Sequence, residues 1–320
     1  LAASALPTAT NASSVQEKIT LFRTLFRGRE DVYAVRWQNE RTGKKGYAPA
    51  CEDPWSLKKG EPRKYLPLTD QVVYEHLAGT KTIGVFPLLL KDNTCWFLAC
   101  DFDDEGWILD ASAYLEVCVR RGVPAYLERS RSGNGGHVWT FFSEPVTAVA
   151  ARQLGMRLLR ETMELRGDMD LGSYDRFFPN QDFMPRGGFG NLIAVPLQKR
   201  PRALGNSEFL DVSSRELRPW ADQWAFLSLV RRLGPAELDG LLEVIPPVAV
   251  GPGRAATTVR ERRARLPAPA EIRCVLGSSV SVERSGLPPW LLSRLKHLAG
   301  LHNPEFYKKE RLRLSTHQTP

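Results

Sequence analysis

The chain has 320 residues, of which 42% are hydrophobic and 25% are charged, an ordinary composition for a folded globular protein. No apolar run reaches the roughly 18 residues that a membrane-spanning helix needs, so a membrane partner is not expected. The 44 basic residues outnumber the 36 acidic residues, which gives a net charge of +8 and favours contact with a polyanion such as nucleic acid.

The N-terminal half alternates between helix and strand patterns. Residues 1–13 are small and uncharged and are predicted to be a flexible leader. Residues 14–27 carry apolar residues at helical spacing, with Ser13 or Ser14 as the N-cap. Residues 31–39 alternate and run into RTGKKGY, a hairpin signal, and residues 81–103 hold two predicted strands joined by the turn KDN.

The same alternation continues further along the chain. Residues 111–122 predict a helix closed by glycine, followed by the strands PAYLERS and HVWTFFS, and residues 146–166 form the longest helical pattern. The strand NLIAVPLQ follows an irregular stretch, and residues 220–245 are again helical. Strands interleaved with helices and hairpins predict an α+β or α/β core.

The composition changes behind this core. Residues 14–245 are predicted to form the main domain. Residues 246–270 are rich in Pro, Ala and Arg and read as a linker, and residues 271–320 are predicted to hold a small helical segment.

The five cysteines match neither a disulfide framework nor a metal motif. Their number is odd, no CxxC pair occurs, and most of them lie within apolar runs. The five are Cys51, Cys95, Cys100, Cys118 and Cys274. We therefore expect buried, reduced thiols and a cytoplasmic location.

Two aspartates end the apolar strand WFLACDFDD. Because strand side chains alternate, Asp101 and Asp103 should share one face, with their Cα atoms about 7 Å apart. Mg²⁺ and Mn²⁺ prefer carboxylate oxygens, and a pair of such ions can hold the attacking and leaving oxygens of a phosphoryl transfer. The alternative is a solvated acidic turn, since Asp104 and Glu105 continue the acidic run.

About 30 residues later the stretch SRSGNGGH joins two strand patterns. Its glycines free the backbone, so that amide groups can point inward as an anion nest. The donors available to a phosphate are the amides of Gly133, Gly135 and Gly136 and the side chains of Arg131, Ser132, Asn134 and His137. The alternative is a glycine-rich hairpin with a surface histidine. An acidic strand end for metal, followed by such a loop for a triphosphate, is the arrangement that a nucleotidyl transferase requires.

Two further regions carry candidate binding residues. Gly188 and Gly190 would allow close approach of a ligand, and Asn191 is predicted to bond a sugar or base, with a tight turn without ligand as the alternative. After the next strand, the candidates for template or phosphate contacts are Lys199, Arg200 and Arg202, with a solvated charged turn as the alternative.

The order DxD, SGxGxH and then a further acidic residue near a strand resembles the archaeo-eukaryotic primase superfamily. More narrowly, the chain resembles the primase-polymerase region of TOTE conflict-system proteins, large bacterial and phage proteins that join such a domain to a helicase. It is also similar to the CRISPR-associated primase-polymerases. The resemblance covers about residues 20–235 and the last 20, in the blocks GREDVYAVRW, GKKGYAPAC, SYDRFFPNQD, GGFGNLIAVPLQ, DQWAFL and NPEFYKKERLRLST.

The resemblance implies an α+β fold, with a mixed or antiparallel RRM-like sheet flanked by helices. It implies that Asp101 and Asp103 bind metal, while Ser132 and His137 contact the incoming triphosphate, helped by Arg131, Asn134 and the glycine amides.

A third carboxylate should complete the metal site. Asp175 in SYDRFF is our choice, and Asp182 and Asp170 are its competitors. The alternative for Asp175 is a structural role, in which it pairs with Arg176 or Arg186 to shape the loop.

The implied activity is that of a template-dependent DNA primase-polymerase using Mg²⁺ or Mn²⁺ and a two-metal mechanism. Its expected partners are DNA template and primer, NTPs and dNTPs, and a helicase domain, since relatives continue beyond NPEFYKKERLRLST and this chain is expected to be part of a longer protein. Two alternatives stay open, an inactive single-stranded-DNA-binding module that serves a helicase and a metal-dependent nuclease.

Overall fold

A computed structural model of the chain describes residues 6–52, 63–166, 173–184, 187–214 and 216–246. The helices are α1 (Val15–Leu25), α2 (Asp70–Ala78), α3 (Trp107–Arg120), α4 (Ala148–Arg166), α5 (Lys199–Arg202), α6 (Gln223–Ser228) and α7 (Pro235–Val244). The strands are β1 (Ala34–Gln38), β2 (Lys45–Pro49), β3 (Ile83–Val85), β4 (Thr94–Asp103), β5 (Tyr126–Arg129), β6 (Gly135–Thr147), β7 (Tyr174–Phe178), β8 (Ile193–Ala194) and β9 (Glu208–Phe209).

Some predictions fall outside these ranges. The segment 271–320 and all of the predicted linker except residue 246 lie outside the described residues, as do Asp170, Arg186 and Cys274. Among the helices that are described, none has the length and apolar character needed to cross a membrane.

The first sheet has four strands in the order β2-β1-β3-β8, and each neighbouring pair is antiparallel. The predicted hairpin is confirmed, since β1 and β2 pair from Ala34 opposite Pro49 to Gln38 opposite Lys45. The indole of Trp37 covers Gly46 on the neighbouring strand, where an added Cβ would lie 3.1 Å from the ring.

The second sheet has five strands in the order β7-β4-β6-β5-β9, again all antiparallel. Along the chain, β4, α3, β5, β6, α4 and β7 follow one another as a β-α-β-β-α-β unit, which interleaves four strands with two crossing helices. This arrangement confirms the predicted α+β fold with antiparallel sheets flanked by helices.

The two faces of β4 have different neighbours. Phe97 and Ala99 are fully buried in the main core, which also contains Phe26 at the end of α1. On the opposite face, Phe102 packs against Tyr114 of α3 at a ring distance of 5.8 Å. Because side chains alternate along a strand, Asp101 and Asp103 continue the face of Phe97 and Ala99, beyond the apolar core.

The N-terminal residues differ from the expected flexible leader. Ala9 is 1% exposed, and its amide donates to the Ser228 hydroxyl of α6 at 2.8 Å. The Asn11 amide donates to Asp222 at 2.8 Å. These partners lie more than 200 residues away along the chain, so the local composition of residues 6–13 could not reveal them. Ser14 then caps α1, as one of the two predicted N-caps.

Two helical regions also differ from the patterns. Helix α2 was not predicted, although Thr69 caps its start and Gly79, in a left-handed conformation, ends it. The helical region over residues 220–245 is divided into α6 and α7, and Pro235 begins the second helix.

The expected burial of the cysteines is confirmed for three of them. Cys95, Cys100 and Cys118 are free and buried, and burial raises the pKa of each thiol. Such thiols behave as small apolar side chains.

Candidate active site

Three aspartates meet at one end of the second sheet. Asp101 and Asp103 end β4, and Asp175 lies on the neighbouring strand β7. One carboxylate oxygen from each lies within 4.8 Å of the others. This spacing allows the three side chains to share a divalent ion.

A β-bulge brings Asp175 into this group. The register pairs Arg176 with Asp101 and Tyr174 with Phe102. Asp175 is therefore an extra residue between two consecutive pairs. If side chains alternated regularly from Arg176, Asp175 would lie on the face of the sheet opposite to that of Asp101 and Asp103. A bulge changes the direction of the side chain, and here it brings Asp175 to the other two aspartates.

Of the two competing third carboxylates, only Asp182 lies in the described residues, and it is not in this group. Asp182 pairs with Arg152 of α4, and Asp170 lies outside the described residues. The structural alternative for Asp175 is also present in part, because Arg176 donates to its carboxylate at 2.6 Å. That ion pair leaves Asp175 within the carboxylate cluster.

The electrostatics of the cluster favour a bound cation. Burial raises the pKa of Asp101 to about 6, an effect that His137 opposes and that Asp103 and Asp175 increase. Burial likewise raises the pKa of Asp103, again opposed by His137 and increased by Asp175. Carboxylates this close disfavour one another's ionised form, and a divalent cation between them would remove that repulsion.

One carboxylate oxygen of the cluster, Oδ1 of Asp101, indicates whether the site fits a metal ion. Oδ1 of Asp101 is buried and has no hydrogen-bond partner among the residues that the structure describes. A buried carboxylate oxygen without a partner is costly. A set of carboxylate oxygens is also the donor type that Mg²⁺ and Mn²⁺ take. The residues present therefore fit a divalent ion.

His137 lies directly across from Asp101 in the β4–β6 ladder. Its Nε2 is 3.4 Å from Asp101 Oδ1, and its Nδ1 is 2.5 Å from Oε2 of Glu128. Burial alone lowers the pKa of His137, but Glu128 and Asp101 raise it to a net value of about 9. His137 is 9% exposed, so the alternative of a surface histidine does not hold.

The glycine-rich loop is a tight turn that begins at Ser130. The Ser130 amide donates to Gly135 O at 2.9 Å, and the Gly133 amide donates back to Ser130 O at 3.0 Å. Gly133 has a φ of 83°, the left-handed region that glycine adopts without strain. Within the loop, the Asn134 amide donates to the Ser132 hydroxyl at 3.3 Å.

The loop is joined to the acidic strand end. Gly135 lies opposite Asp103 in the ladder, and the Asp104 amide donates to Asn134 O at 3.1 Å. An added Cβ on Gly135 would lie 2.7 Å from Phe102 O and closer still to Asp103 Oδ1. The missing side chain of Gly135 thus makes room for the Asp103 carboxylate, a role that the loop pattern did not reveal.

Residues outside the predicted motifs also reach the loop. Arg131 bonds the phenol of Tyr47, which lies on β2 of the first sheet. The side chain of Asn206 lies against Gly133, where an added Cβ would be 2.9 Å from its Oδ1. Asn206 stands in no quoted motif, and Tyr47 belongs to the block GKKGYAPAC, whose family likeness did not indicate this contact.

Glu128 is the most informative residue that the sequence reasoning missed. It is 2% exposed on β5, directly opposite His137. The available signal was a charged residue at an inward position of an apolar strand, just before the glycine-rich loop.

Asn191 has a structural role in the described residues. Its amide nitrogen donates to Phe177 O at 3.1 Å, and its oxygen accepts from the Asn180 amide at 3.2 Å. Both ends of the amide are therefore engaged in holding the segment that leaves β7. Contact between Asn191 and a sugar or base stays a prediction.

The predicted DNA-contacting residues form the short helix α5. Lys199 and Arg200 are exposed and pack beside Gly79, at the end of α2. Arg202 instead pairs with Glu208 at 3.0 Å. Contact of these side chains with DNA stays a prediction.

Comparison with known proteins gives two findings. A family model described as the archaeo-eukaryotic primase domain of the TOTE conflict system matches residues 17–241. Among solved structures, the polymerase domain of Mycobacterium tuberculosis Ligase D, in complex with DNA, is similar with 15% identity and a TM-score of 0.37, over 69% of this chain and 82% of that chain. No curated protein matches the chain. The family match spans more than half of the chain and includes all three clustered aspartates and the glycine-rich loop. The chain therefore belongs to the archaeo-eukaryotic primase domain family of TOTE conflict systems.

Proposed function

We propose that this domain is a template-dependent DNA primase-polymerase, which transfers nucleotides from NTPs or dNTPs to a 3′-hydroxyl or to an initiating nucleotide. Family membership supports nucleotidyl transfer in general. The observation that carries the more specific proposal is the carboxylate cluster, whose oxygens lie within 4.8 Å of one another beside the ring of His137.

The three aspartates would hold Mg²⁺ or Mn²⁺. Divalent ions at such a site lower the pKa of an attacking hydroxyl and neutralise a leaving pyrophosphate. The carboxylates would serve as ligands and not as nucleophiles, in keeping with the buried Oδ1 of Asp101, which accepts no hydrogen bond from the described residues.

The protein's own donors would bind the triphosphate. Against the effect of burial, Glu128 and Asp101 raise the pKa of the His137 ring to about 9, which favours its protonated form. It therefore offers a charged N–H beside the metal ligands, and charged hydrogen bonds are the strong ones for phosphate oxygens. Ser132 and Asn134 are exposed in the adjoining loop, and their side chains would add neutral donors, since the Gly133 and Asn134 amides donate within the turn. Arg131 adds a guanidinium at the same turn.

The direct test is incorporation of labelled nucleotides on primed and unprimed DNA templates with Mn²⁺ or Mg²⁺. Extension of the primer supports polymerase activity, and products from unprimed template support priming. Parallel reactions with NTPs and dNTPs define the preferred sugar. Shortening of the labelled DNA would instead identify a nuclease, and a mobility shift without either reaction would identify a binding module.

Matched variants connect the activity to the cluster. Asp101→Asn and Asp103→Asn should abolish synthesis while DNA binding remains. Asp182→Asn is the control, because Asp182 pairs with Arg152 and is not one of the three clustered aspartates. Synthesis retained by both cluster variants would remove these aspartates from the reaction. A helicase partner is proposed on the family resemblance alone, and copurification of a helicase with this protein would test it.

A further inference from the structure

The buried carboxylate of Glu128 accepts hydrogen bonds from two side chains. Its Oε2 lies 2.5 Å from Nδ1 of His137 and 3.2 Å from Nε1 of Trp139. All three residues lie on one face of the second sheet, with Glu128 directly opposite His137. Burying a carboxylate is expensive unless it is paired and hydrogen-bonded, and these two contacts supply that compensation.

The contact to Nδ1 fixes the imidazole ring. A histidine that donates through one nitrogen has the direction of the other nitrogen set by that bond. Here the bond to Glu128 leaves Nε2 directed to Asp101 Oδ1, 3.4 Å away. Glu128, His137 and Asp101 thus form a line across three strands, from the interior of the sheet to the carboxylate cluster.

An apolar side chain would be the ordinary choice at this position. Tyr126, two residues earlier on the same face of β5, packs against the main apolar core. Replacing a buried ionic pair by well-packed apolar residues is often neutral or stabilising, so stability alone does not account for Glu128. The orientation of His137 does account for it.

We propose that Glu128 is a positioning residue for nucleotide binding, which holds the His137 ring so that Nε2 faces the triphosphate beside the metal site. This inference rests on the proposed function. Glu128 does not itself touch the nucleotide and acts only through His137.

The test is a double-mutant cycle on nucleotide affinity. Glu128→Leu removes the acceptor for Nδ1, so KM for the nucleotide should rise about tenfold to a hundredfold, with a smaller change in kcat. His137→Ala should raise KM by a similar factor. The double variant should be no worse than His137→Ala alone, because Glu128 has no effect once the ring is gone.

Two further variants separate positioning from folding. Glu128→Gln keeps an acceptor oxygen for Nδ1 and should restore most of the affinity. Glu128→Ala, which also removes the acceptor, serves as the test if Glu128→Leu does not fold. Glu208→Gln is the matched control, since Glu208 is 9% exposed on the adjacent strand β9 but pairs with Arg202. It should leave KM unchanged. Thermal unfolding of each variant shows that the folded state is retained.

A binding measurement separates failure of this inference from failure of the proposed function. Titration of a fluorescent nucleoside triphosphate in the presence of Mn²⁺ reports affinity without turnover. If the wild-type protein binds the nucleotide but incorporates none, the proposed function fails while the cycle can still be measured on binding. A wild-type affinity in folded Glu128→Leu, or effects of Glu128→Leu and His137→Ala that simply add, would overturn the positioning role. Absence of any nucleotide binding by the wild-type protein would overturn both.

Discussion

Replacement of Gly135 by alanine is the sharpest test of how the two motifs fit together. Gly135 pairs with Asp103 across the β4–β6 ladder. An added Cβ would meet the backbone oxygen of Phe102 at 2.7 Å and would approach Asp103 Oδ1 more closely still. Gly135 is not in the left-handed region, so alanine adds no backbone strain and the clash is the whole perturbation.

The expected loss follows from the size of the clash. Ordinary Cβ contacts begin at 3.4 Å. The Asp103 carboxylate would therefore have to retreat by about 1 Å, and a misplacement of about 1 Å in a reacting arrangement can cost roughly a hundredfold in rate. The Phe102 oxygen belongs to the backbone and cannot rotate away. We expect a loss of activity of about a hundredfold, weaker Mn²⁺ binding, and a decrease of about 1–3 kcal/mol in the free energy of unfolding from overpacking.

The assay measures nucleotide incorporation as a function of Mn²⁺ concentration, with free Mn²⁺ followed by electron paramagnetic resonance. Gly240→Ala in α7 is the control, because an added Cβ there meets nothing within 4 Å. It should retain full activity and gain about 0.5–1 kcal/mol in stability, since alanine is the better helix former. Wild-type activity and wild-type Mn²⁺ dependence in a folded Gly135→Ala variant would refute this account of the site.

Three further predictions concern the third ligand, the sheet–helix contact and the pH dependence of stability. Asp175→Asn should lower nucleotide incorporation at least about a hundredfold in the same Mn²⁺ titration, whereas Asp182→Asn should not. Equal activities of the two variants would reject Asp175 as a metal ligand. Gly155→Ala in α4 should destabilise the fold by about 1–3 kcal/mol in urea unfolding, because its Cβ would lie 2.8 Å from the Phe177 ring, and an unchanged urea midpoint would contradict that packing. Burial lowers the pKa of His76 from 6.5 to about 4, so the folded protein keeps this ring neutral while the unfolded chain becomes protonated. The neutral His76 ring therefore makes its full contribution to the free energy of unfolding above pH 6.5. This contribution falls as the pH decreases towards 4, and about 2 kcal/mol of it is lost at pH 5. Urea unfolding of wild type and His76→Gln at pH 7.5 and pH 5 checks this, and an equal pH dependence in both proteins would contradict it.

Local patterns were enough to predict much of the fold and part of the site. Alternation along β4 placed Asp101 and Asp103 on one face, because the period of two is a property of any strand. The hairpin of β1 and β2 followed from its turn residues. The likeness of several blocks to one family then identified the glycine-rich loop as the partner of the acidic pair, and the family match over residues 17–241 confirms that membership.

Other features depend on which strands become neighbours. Asp175 joins the cluster only because β7 pairs with β4 through a bulge, which no local pattern distinguishes from a regular strand. In the sequence, Glu128 is one charged residue on a short strand. Only the pairing of β5 with β6 brings it to His137.

The sequence by itself thus determined the residue types, the spacing within each strand and the chemistry that they favour. The tertiary structure decided the register between strands, and with it the third carboxylate, the orientation of His137 and the need for Gly135 beside Asp103. The physical reason is that side-chain alternation and turn geometry are set by neighbouring residues. Strand register, by contrast, is set by packing between segments far apart in the chain.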